Sequence, residues 1–443
     1  MRITFIVPAI GKKPKQKYIG TWKMEPLTIA VLKGLTPSHI ETQLFDDRME
    51  LIDYDSETDL VVISVETYTA KRSYAISEQF KKHGKTVIMG GYHVTLVPEE
   101  AMEHADAILT GNAEGVWEEV LKDFQNHALK KRYDGGIGYT AKAVDKSIFQ
   151  GKKYLPVSLI ETGRGCCHSC EFCAISSYYG CKYFKRNHKQ ILSDIEQSNH
   201  KVHFLVDDNL VADKENALTL FEKIIPYQIK WAGQGTLSMA KDDNLLKTMK
   251  ESGCELMLIG FESLNRENLQ QMNKSFNYAI GEYNDLVERI HGAGIGIYAT
   301  FVFGYDFDTE RTFEEALEFA KHHRFYTTAF NHLLPFPNTR LYDRLKAENR
   351  LLYDKWWLAE DYHYGEVAFQ PKNMSAEQLS ELCKNARKEF SAPITVLSRG
   401  IASMKRSSPL MWSLFWGMNL RLGEEIDEKM NVPIGENLDE LPK

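Results

Sequence analysis

Short apolar segments alternate with amphipathic segments throughout the first part of the chain. The apolar segments are rich in β-branched residues, and the segments between them repeat apolar residues every three or four positions. Strands are predicted over residues 3–9, 41–45, 60–65, 86–89 and 107–110, and helices over residues 26–35, 70–83, 99–104 and 116–127. Strands that alternate with helices pair in parallel, so this part predicts an α/β, doubly wound (Rossmann-like) sheet.

The same alternation returns after residues 136–152, which lose this rhythm and are predicted to form a linker. Strands are predicted over residues 157–161, 203–206, 229–233, 255–260, 296–303 and 328–334, and helices over residues 190–197, 216–225, 244–251, 283–291, 310–323 and 340–348. Six strand–helix units suit a partial (β/α)6 barrel with its site at the carboxyl ends of the strands. The predicted domains are residues 1–135, the barrel over 153–345 and a helical C-terminal region over 346–443.

The composition is that of a soluble globular protein, with 443 residues, 43% of them apolar and 26% charged. A net charge of −7 argues against broad nonspecific binding to nucleic acid, so no nucleic-acid partner is expected. The N-terminus lacks the pattern of a secretory signal, and no apolar stretch reaches the roughly 18 residues of a membrane span. We therefore expect a cytoplasmic protein without a transmembrane segment.

A helical stripe of apolar residues lies near the C-terminus. It consists of Leu410, Met411, Leu414, Phe415, Met418 and Leu422. Such a stripe usually packs against the core of the protein. Two alternatives remain open, a contact with a membrane surface and a lid over an apolar substrate.

Four of the seven cysteines crowd into residues 166–173, and this is the strongest chemical signal in the chain. Cys166, Cys170 and Cys173 have the spacing Cys-x3-Cys-x2-Cys and follow the first strand of the predicted barrel. Thiolates this close together in a loop are natural ligands of an iron–sulfur cluster, and three ligands leave one iron of a four-iron cluster open. Zinc is the alternative, with Cys167 or His168 as its fourth ligand.

The cysteine motif, its place on the first barrel strand and the strand–helix units that follow resemble the radical S-adenosylmethionine (radical SAM) superfamily. The N-terminal part resembles the cobalamin-binding domain of the subgroup that includes the anaerobic magnesium-protoporphyrin ester cyclase. The segments that carry this second resemblance are MEPLTIAVLKGLTP, Asp46–Arg48, GGYHVTLVPEEA and the turn over Gly111–Glu114.

The resemblance implies that Cys166, Cys170 and Cys173 hold a 4Fe–4S cluster whose open iron binds S-adenosylmethionine. Reductive cleavage would then release a 5′-deoxyadenosyl radical. Polar turns follow several barrel strands, and residues 260–263 match the Gly-x-Glu-Ser turn of the family. The predicted contacts to S-adenosylmethionine are Glu262, Ser263, Gln234 and Asp208. Taken singly, each turn could equally be an Asx turn or a helix cap.

The resemblance also implies cobalamin on the N-terminal sheet, since such sheets bind ligands beside the carboxyl ends of their strands. The predicted contacts are Ser64, Thr67, Gly90 and Gly91, where glycine permits the close approach of a large planar ligand. The Asp-x-His-x-x-Gly motif that supplies a histidine to cobalt is missing, because the first loop reads AIGKKP. That absence does not decide the question; a glycine turn without cofactor is the alternative.

The predicted function is methylation of an unactivated carbon by a cobalamin-dependent radical SAM enzyme. The resemblance leaves open ring closure, oxygen insertion or rearrangement without methyl transfer. A non-catalytic iron–sulfur or corrinoid carrier is a further alternative, although the polar strand ends beside the cysteines argue against it. The expected partners are a small-molecule substrate, with an apolar compound as an open option, and a low-potential electron donor such as flavodoxin or ferredoxin.

Overall fold

The computed structural model describes residues 1–138 and 144–439, and the chain forms two compact units. The first unit combines Met1–Pro156 with Tyr353–Tyr364 and Asn431–Lys443. The second unit combines Val157–Leu352 with Gly365–Met430. The domain limits drawn from the sequence stay a prediction, and the two units are used below as the structure divides them.

Six parallel strands form the sheet of the first unit, in the order β2-β1-β3-β4-β5-β6. They are β1 (Arg2–Val7), β2 (Glu41–Asp46), β3 (Leu60–Ser64), β4 (Thr86–Gly90), β5 (Ala107–Thr110) and β6 (Arg132–Asp134). The helices are α1 (Leu27–Leu35), α2 (Ala70–Lys82), α3 (Tyr92–Leu96), α4 (Pro98–His104) and α5 (Trp117–Gln125). This order, with parallel strands joined through helices, confirms the predicted doubly wound fold.

Burial explains why the central strands of this sheet form where the sequence predicts them. In β3, Leu60, Val61, Val62 and Ile63 are all buried, as expected for a strand covered on both faces. The edge strand β6 was not predicted. Its three residues, with Tyr133 buried between two exposed side chains, are too few to show a period.

The second unit contains another six-stranded parallel sheet, in the order β14-β13-β12-β11-β10-β7. Its strands and a two-stranded hairpin (β8, β9) are β7 (Ser158–Ile160), β8 (Gly163–Gly165), β9 (Tyr183–Lys185), β10 (Val202–Leu205), β11 (Lys230–Gly235), β12 (Cys254–Glu262), β13 (Gly296–Phe303) and β14 (Thr327–His332). The predicted sheet of six strands that alternate with helices is confirmed.

Helices follow the strands of this sheet and then continue into the C-terminal region. They are α6 (Ala174–Tyr179), α7 (His188–Glu196), α8 (Lys214–Ile224), α9 (Asp243–Glu251), α10 (Arg266–Gln271), α11 (Phe276–Ala279), α12 (Tyr283–Gly292), α13 (Glu310–His322), α14 (Arg340–Ala347), α15 (Ala376–Phe390), α16 (Pro393–Met404), α17 (Pro409–Asn419) and α18 (Leu422–Lys429). The predicted helical character of the C-terminal region is confirmed.

Two short strands in this region belong to the first unit instead. They are β15 (His363–Tyr364) and β16 (Val432–Pro433), which pair antiparallel.

The helices α16 and α17 pack against the sheet of the second unit, near the N-terminal ends of its strands. Met411 and Phe415 of α17 form a buried cluster with Leu256 and Tyr326, which lie at or next to the beginning of β12 and β14. The Tyr326 hydroxyl also donates to the Met411 carbonyl at 2.7 Å. Part of the predicted apolar stripe is therefore core. Within residues 1–138 and 144–439, no helix is long and apolar enough to span a bilayer.

Candidate functional site

The three cysteines of the motif lie in the loop between β8 and α6. This loop rises from the hairpin in which β8 pairs antiparallel with β9. Gly165 ends β8 at a φ of 81°, and a Cβ there would overlap the carbonyl oxygen of Lys182. Glycine is therefore required where the hairpin turns into the cysteine loop. This hairpin was not predicted, because its three-residue strands show no apolar alternation.

The turn after β10 fastens the beginning of the cysteine loop. Asp208 Oδ2 accepts a hydrogen bond from the Gly165 backbone N–H at 2.8 Å. The Asn209 amide approaches the Cys166 sulfur at 3.8 Å. Since these residues follow one strand of the sheet, the loop is positioned directly by the carboxyl end of β10.

The neighbouring residue, Asp207, is buried and holds the end of β7. Its two carboxylate oxygens accept from the Thr162 N–H and the Thr162 hydroxyl, each at 2.7 Å. Burial raises the pKa of Asp207 to about 7, although the bonds from Thr162 oppose the rise. Asp207 was not among the predicted site residues.

The second half of the loop is fastened by α14 and by the segment after α10. Arg344 donates to both carboxylate oxygens of Glu171, at 2.7 and 3.1 Å. The Glu171 N–H donates to the Met272 carbonyl at 2.9 Å, and the Asn273 amide donates to the Ser169 carbonyl at 2.9 Å. A bidentate arginine–carboxylate pair fixes direction as well as distance. The loop is thus held on both sides before any ligand binds.

All three predicted ligands are free thiols, and each is partly buried. Burial raises the pKa of Cys166, and it raises the pKa of Cys170 to about 12, although the Lys274 ammonium acts against this second rise. Thiolates of this kind are the donors that iron–sulfur clusters take. The donor set therefore fits the predicted cluster.

A second group of donors overlaps the motif. Ligand atoms of Cys166, Cys167 and His168 lie within 4.8 Å of one another. Cys167 is exposed, and the His168 ring stacks on Phe276 with 3.8 Å between the ring centroids. A structural zinc site is closed by four ligands, one more than this group supplies.

A buried ion pair lies at the end of β12. The Lys274 ammonium donates to Glu262 Oε1 at 2.6 Å, and both residues are buried. Glu262 has a φ of 62°, and the register of β12 and β13 shifts between Gly260 and Glu262. A Cβ at Gly260 would overlap Glu262 Oε1 and lie 2.7 Å from Lys274 Nζ. Gly260 therefore makes room for the pair.

Lys274 was not predicted from the sequence, since a single lysine after a short helix carries no signal. Burial opposes its charge, but Glu262 and then Cys170 raise the pKa of Lys274, so it is held as an ammonium. It places a positive charge next to thiols that must become anionic on binding metal.

The other predicted contacts to S-adenosylmethionine form two groups. Gln234 Nε2 donates to the Asp208 carbonyl at 3.1 Å, so the ends of β10 and β11 are joined. On the next strand, Ser263 follows Glu262, and its hydroxyl accepts from the Asn265 N–H at 3.1 Å. This bond closes a local turn, in agreement with the alternative that the polar residues at this strand end form a turn or a helix cap. The roles of these four residues stay a prediction.

In the first unit, three of the four predicted contact residues lie together. Ser64 and Gly90 are opposite each other in the pairing of β3 and β4. Gly91 has a φ of 114°, and a Cβ there would be 2.6 Å from the Val65 carbonyl oxygen. Thr67 is buried instead, with its hydroxyl 3.3 Å from His93 Nδ1. The edge is therefore lined by small residues, and Thr67 contacts the protein interior.

His93 belongs to a buried polar cluster that the sequence did not indicate. Its Nε2 lies 3.1 Å from Glu100 Oε1, which also accepts from the Tyr74 hydroxyl at 2.9 Å and the Trp357 indole at 3.0 Å. Burial opposes the charge of Glu100, but bonds from His93, Lys355 and Trp357 lower its pKa to about 2. Both His93 nitrogens are engaged within the protein.

The first loop of the first unit is covered by the C-terminal segment of the chain. The Lys12 N–H donates to the Glu436 carbonyl at 3.1 Å, and the Gly435 N–H donates to the Ile10 carbonyl at 2.6 Å. A Cβ at Gly11 would overlap the Pro433 carbonyl oxygen. The first loop, in which the Asp-x-His-x-x-Gly motif is missing, is thus covered by the protein's own backbone.

Comparison with known proteins places the cysteine loop in a family. Residues 160–320 match the radical SAM superfamily. Two proteins of Chlorobaculum tepidum are each 29% identical to the chain. The bacteriochlorophyllide d C-12(1)-methyltransferase matches 88% of the chain and 86% of its own length. The bacteriochlorophyllide d C-8(2)-methyltransferase matches 74% of the chain and 78% of its own length.

A solved structure has the same fold. It is the radical S-adenosylmethionine methyltransferase TsrM from Kitasatospora setae with cobalamin and a [4Fe-4S] cluster bound. The match covers 96% of this chain and 99% of the TsrM chain, with a TM-score of 0.65 and 13% sequence identity. Since the identity is low, this likeness establishes the fold. The family match over residues 160–320, which include the cysteine motif, confirms the predicted resemblance to the radical SAM superfamily.

Proposed function

We propose that the protein is a cobalamin-dependent radical SAM methyltransferase that methylates an unactivated carbon of a large apolar ring compound. One observation carries the proposal. Three free thiols are held at the carboxyl edge of a parallel sheet by Asp208 and Glu171, beside the buried ammonium of Lys274. A prepared loop of this kind, placed where such sheets bind ligands, indicates catalysis more than storage or transport of a cluster.

Cys166, Cys170 and Cys173 would hold the 4Fe–4S cluster. When bound, the cluster supplies the electron that cleaves S-adenosylmethionine, and the corrinoid supplies the methyl group. Lys274 offsets part of the negative charge that the three thiolates bring into a partly buried site. The Asn209 amide points a donor at Cys166, and such contacts to sulfur tune an iron–sulfur site.

Glu262, Ser263, Gln234 and Asp208 would bind S-adenosylmethionine beside the cluster. Glu262 is the strongest of the four, because its backbone strain and its buried lysine partner hold the carboxylate at one place. Its second oxygen, Oε2, lies 3.5 Å from the Thr300 hydroxyl on the adjacent strand. Gln234 belongs to β11 and Asp208 follows β10. These two strands lie on the side of β12 that faces away from β13.

Cobalamin would lie on the first unit, at the edge formed by Ser64, Gly90 and Gly91. Thr67 would support this edge from the protein interior without contacting the cofactor, since its hydroxyl is directed to His93. A protein histidine below the cobalt is not expected here. The first loop is covered by the C-terminal segment, and His93 is bound to Glu100 and Thr67. The support for this cofactor is the small-residue edge together with the fold.

The substrate class rests on the two methyltransferases of Chlorobaculum tepidum, whose names give bacteriochlorophyllide d as the substrate. We propose an apolar compound with fused or linked rings. Electrons would come from a low-potential donor such as flavodoxin or ferredoxin, in the cytoplasm. All seven cysteines are free, which suits a reducing compartment.

The test is anaerobic turnover of bacteriochlorophyllide d with S-adenosylmethionine that carries a deuterated methyl group. The expected product is heavier by one deuterated methyl group, and 5′-deoxyadenosine accumulates with it. The Cys170→Ala protein serves as the control and should give neither product. A product that has lost two hydrogens and gained no methyl group would show that the reaction is ring closure and not methylation. Release of 5′-deoxyadenosine without a modified product would reject this substrate class.

A further inference from the structure

We propose that α16 and α17 form a surface that docks on an anionic lipid membrane. The surface, called here the apolar face, consists of Ile394, Leu397, Ile401, Met404, Leu410, Met418 and Leu420. It is independent of the proposed function, because no cofactor and no predicted site residue belongs to it.

The apolar face concentrates exposed apolar side chains to an unusual degree. Seven of the thirteen large apolar side chains that are exposed in the described part of the chain lie between Ile394 and Leu420. Ile394 is 75% exposed and Leu420 is 67% exposed. On α16, positions 394, 397, 401 and 404 repeat with helical spacing and so form one continuous stripe. Contiguous exposed apolar surface marks an interaction site.

The opposite side of the same helices is firmly packed, so the apolar face is not the result of poor folding. Arg399 is buried and donates to the Tyr326 carbonyl at 2.9 Å, the Asn419 amide oxygen at 2.8 Å and the Phe390 carbonyl at 3.0 Å. Val396 and Phe415 join the buried cluster at Tyr326. These bonds fix α16 and α17 with the apolar face directed outward.

Charge distinguishes a lipid surface from a second copy of the chain. Residues 390–423 contain no aspartate or glutamate, and apart from the buried Arg399 they carry three basic residues, Lys405, Arg406 and Arg421, in a chain whose net charge is −7. Lys405 and Arg406 separate the two helices, and Arg421 follows the second. Two copies meeting through this face would bring like charges together, whereas anionic headgroups would be attracted to them.

The position of the apolar face excludes a lid over the active site. Leu256 and Tyr326, on which the helices pack, lie at or next to the starts of β12 and β14. In a parallel sheet these starts lie at the edge opposite the carboxyl ends that carry the cysteine loop and Glu262. A lid would have to cover the carboxyl ends.

A cleft beside the face extends the basic surface. It has a volume of about 630 Å³, and its lining includes Pro409, Leu410, Lys201 and Lys230. Lys230 is paired with Glu255 at 3.1 Å, so Lys201 contributes most to the charge.

The test is sedimentation of the reconstituted full-length protein with vesicles. One set contains equal parts of phosphatidylglycerol and phosphatidylcholine, and the other contains phosphatidylcholine alone. The Ile394→Ser/Ile401→Ser variant removes two of the four apolar side chains of the stripe on α16. Its matched control, Phe307→Ser/Leu352→Ser, changes two side chains that are each 49% exposed elsewhere on the unit. Both variants change exposed positions, and circular dichroism checks that they fold.

We expect the protein to bind the anionic vesicles and to release them at high salt. The stripe variant should bind about tenfold more weakly, and the control variant should bind like the parent. Binding that is equal in the parent and the stripe variant would overturn the proposal, as would no binding to anionic vesicles. A dimer in solution that the stripe variant dissociates would show that a second copy covers the face, and this too would overturn it.

Discussion

The two units contain the same architectural element, a parallel six-stranded sheet, but the carboxyl edges of the two sheets differ in chemistry. In the second unit the edge is charged and built from side chains. Asp208 and Glu171 fasten a loop of thiols, and Lys274 is buried against Glu262. In the first unit the edge at Ser64, Gly90 and Gly91 is small and uncharged, and backbone atoms approach it closely.

This difference teaches how one type of sheet serves two kinds of ligand. A cluster with a net charge needs ionic partners and fixed donor atoms, which the second edge provides. A large planar ligand needs an open floor, which side chains would fill. The polar groups of the first unit are instead directed inward, as His93 and Glu100 show. Substitutions at either edge should therefore affect one cofactor and spare the other.

The largest effect is expected from Cys170→Ser. Loss of one thiolate removes a cluster ligand, so iron binding should be lost and cleavage of S-adenosylmethionine should fall by about a thousandfold or more. Bound corrinoid should remain. Iron analysis and the visible spectrum measure both cofactors in one sample. Cys167→Ser is the matched control, because this exposed cysteine lies within the same loop. If Cys170→Ser kept its iron, the ligand assignment would be wrong.

Lys274→Met should destabilise the second unit by about 3 kcal/mol, because it leaves the Glu262 carboxylate buried without a partner. The free energy of unfolding, from urea titration, measures this loss. The double variant Lys274→Met/Glu262→Gln should recover part of it, since the buried charge is then removed. Equal losses in the single and double variants would show that the ion pair does not couple the two residues.

Asp207 predicts a pH dependence of stability. Its pKa is about 7 in the folded protein, against an ordinary value of 3.8. The folded state therefore keeps a proton that the unfolded state has lost, and the associated stability is present below pH 4 and lost as the pH rises through 7. Between pH 5 and 7 this residue should lower the free energy of unfolding by about 2 kcal/mol. Asp207→Asn should remove that slope, and an unchanged slope would refute the assignment.

The smallest effect is expected from Gly91→Ala. The new Cβ would be 2.6 Å from the Val65 carbonyl, so the strand ends must separate slightly. Gly84→Ala is the control, because Gly84 also has a positive φ, 70°, but open space around it. We expect Gly91→Ala to cost about 1 kcal/mol more than Gly84→Ala and to weaken corrinoid binding severalfold, with iron unchanged. Equal corrinoid binding in the two variants would show that the cofactor does not bind at this edge.

The fold could be predicted because its main strands are continuous apolar runs between amphipathic helices. The cysteine loop could also be predicted, since its ligands lie within eight residues of one another and their spacing is specific. Both features are local along the chain.

The rest depends on contacts between distant segments, which a single sequence does not reveal. Lys274 reaches Glu262 only because β12 bulges at Gly260. The C-terminal residues cross the first loop through the bond between Lys12 and Glu436. The hairpin of β8 and β9 is too short to show a period.

The central claim is that the second edge holds a radical-generating cluster and the first edge holds a corrinoid. The most direct test is anaerobic reconstitution with iron, sulfide and hydroxocobalamin, followed by dithionite and S-adenosylmethionine in the same sample. We predict about four irons and one corrinoid per chain, with release of 5′-deoxyadenosine. Zinc in place of iron, or a full cluster that leaves S-adenosylmethionine intact, would contradict the account.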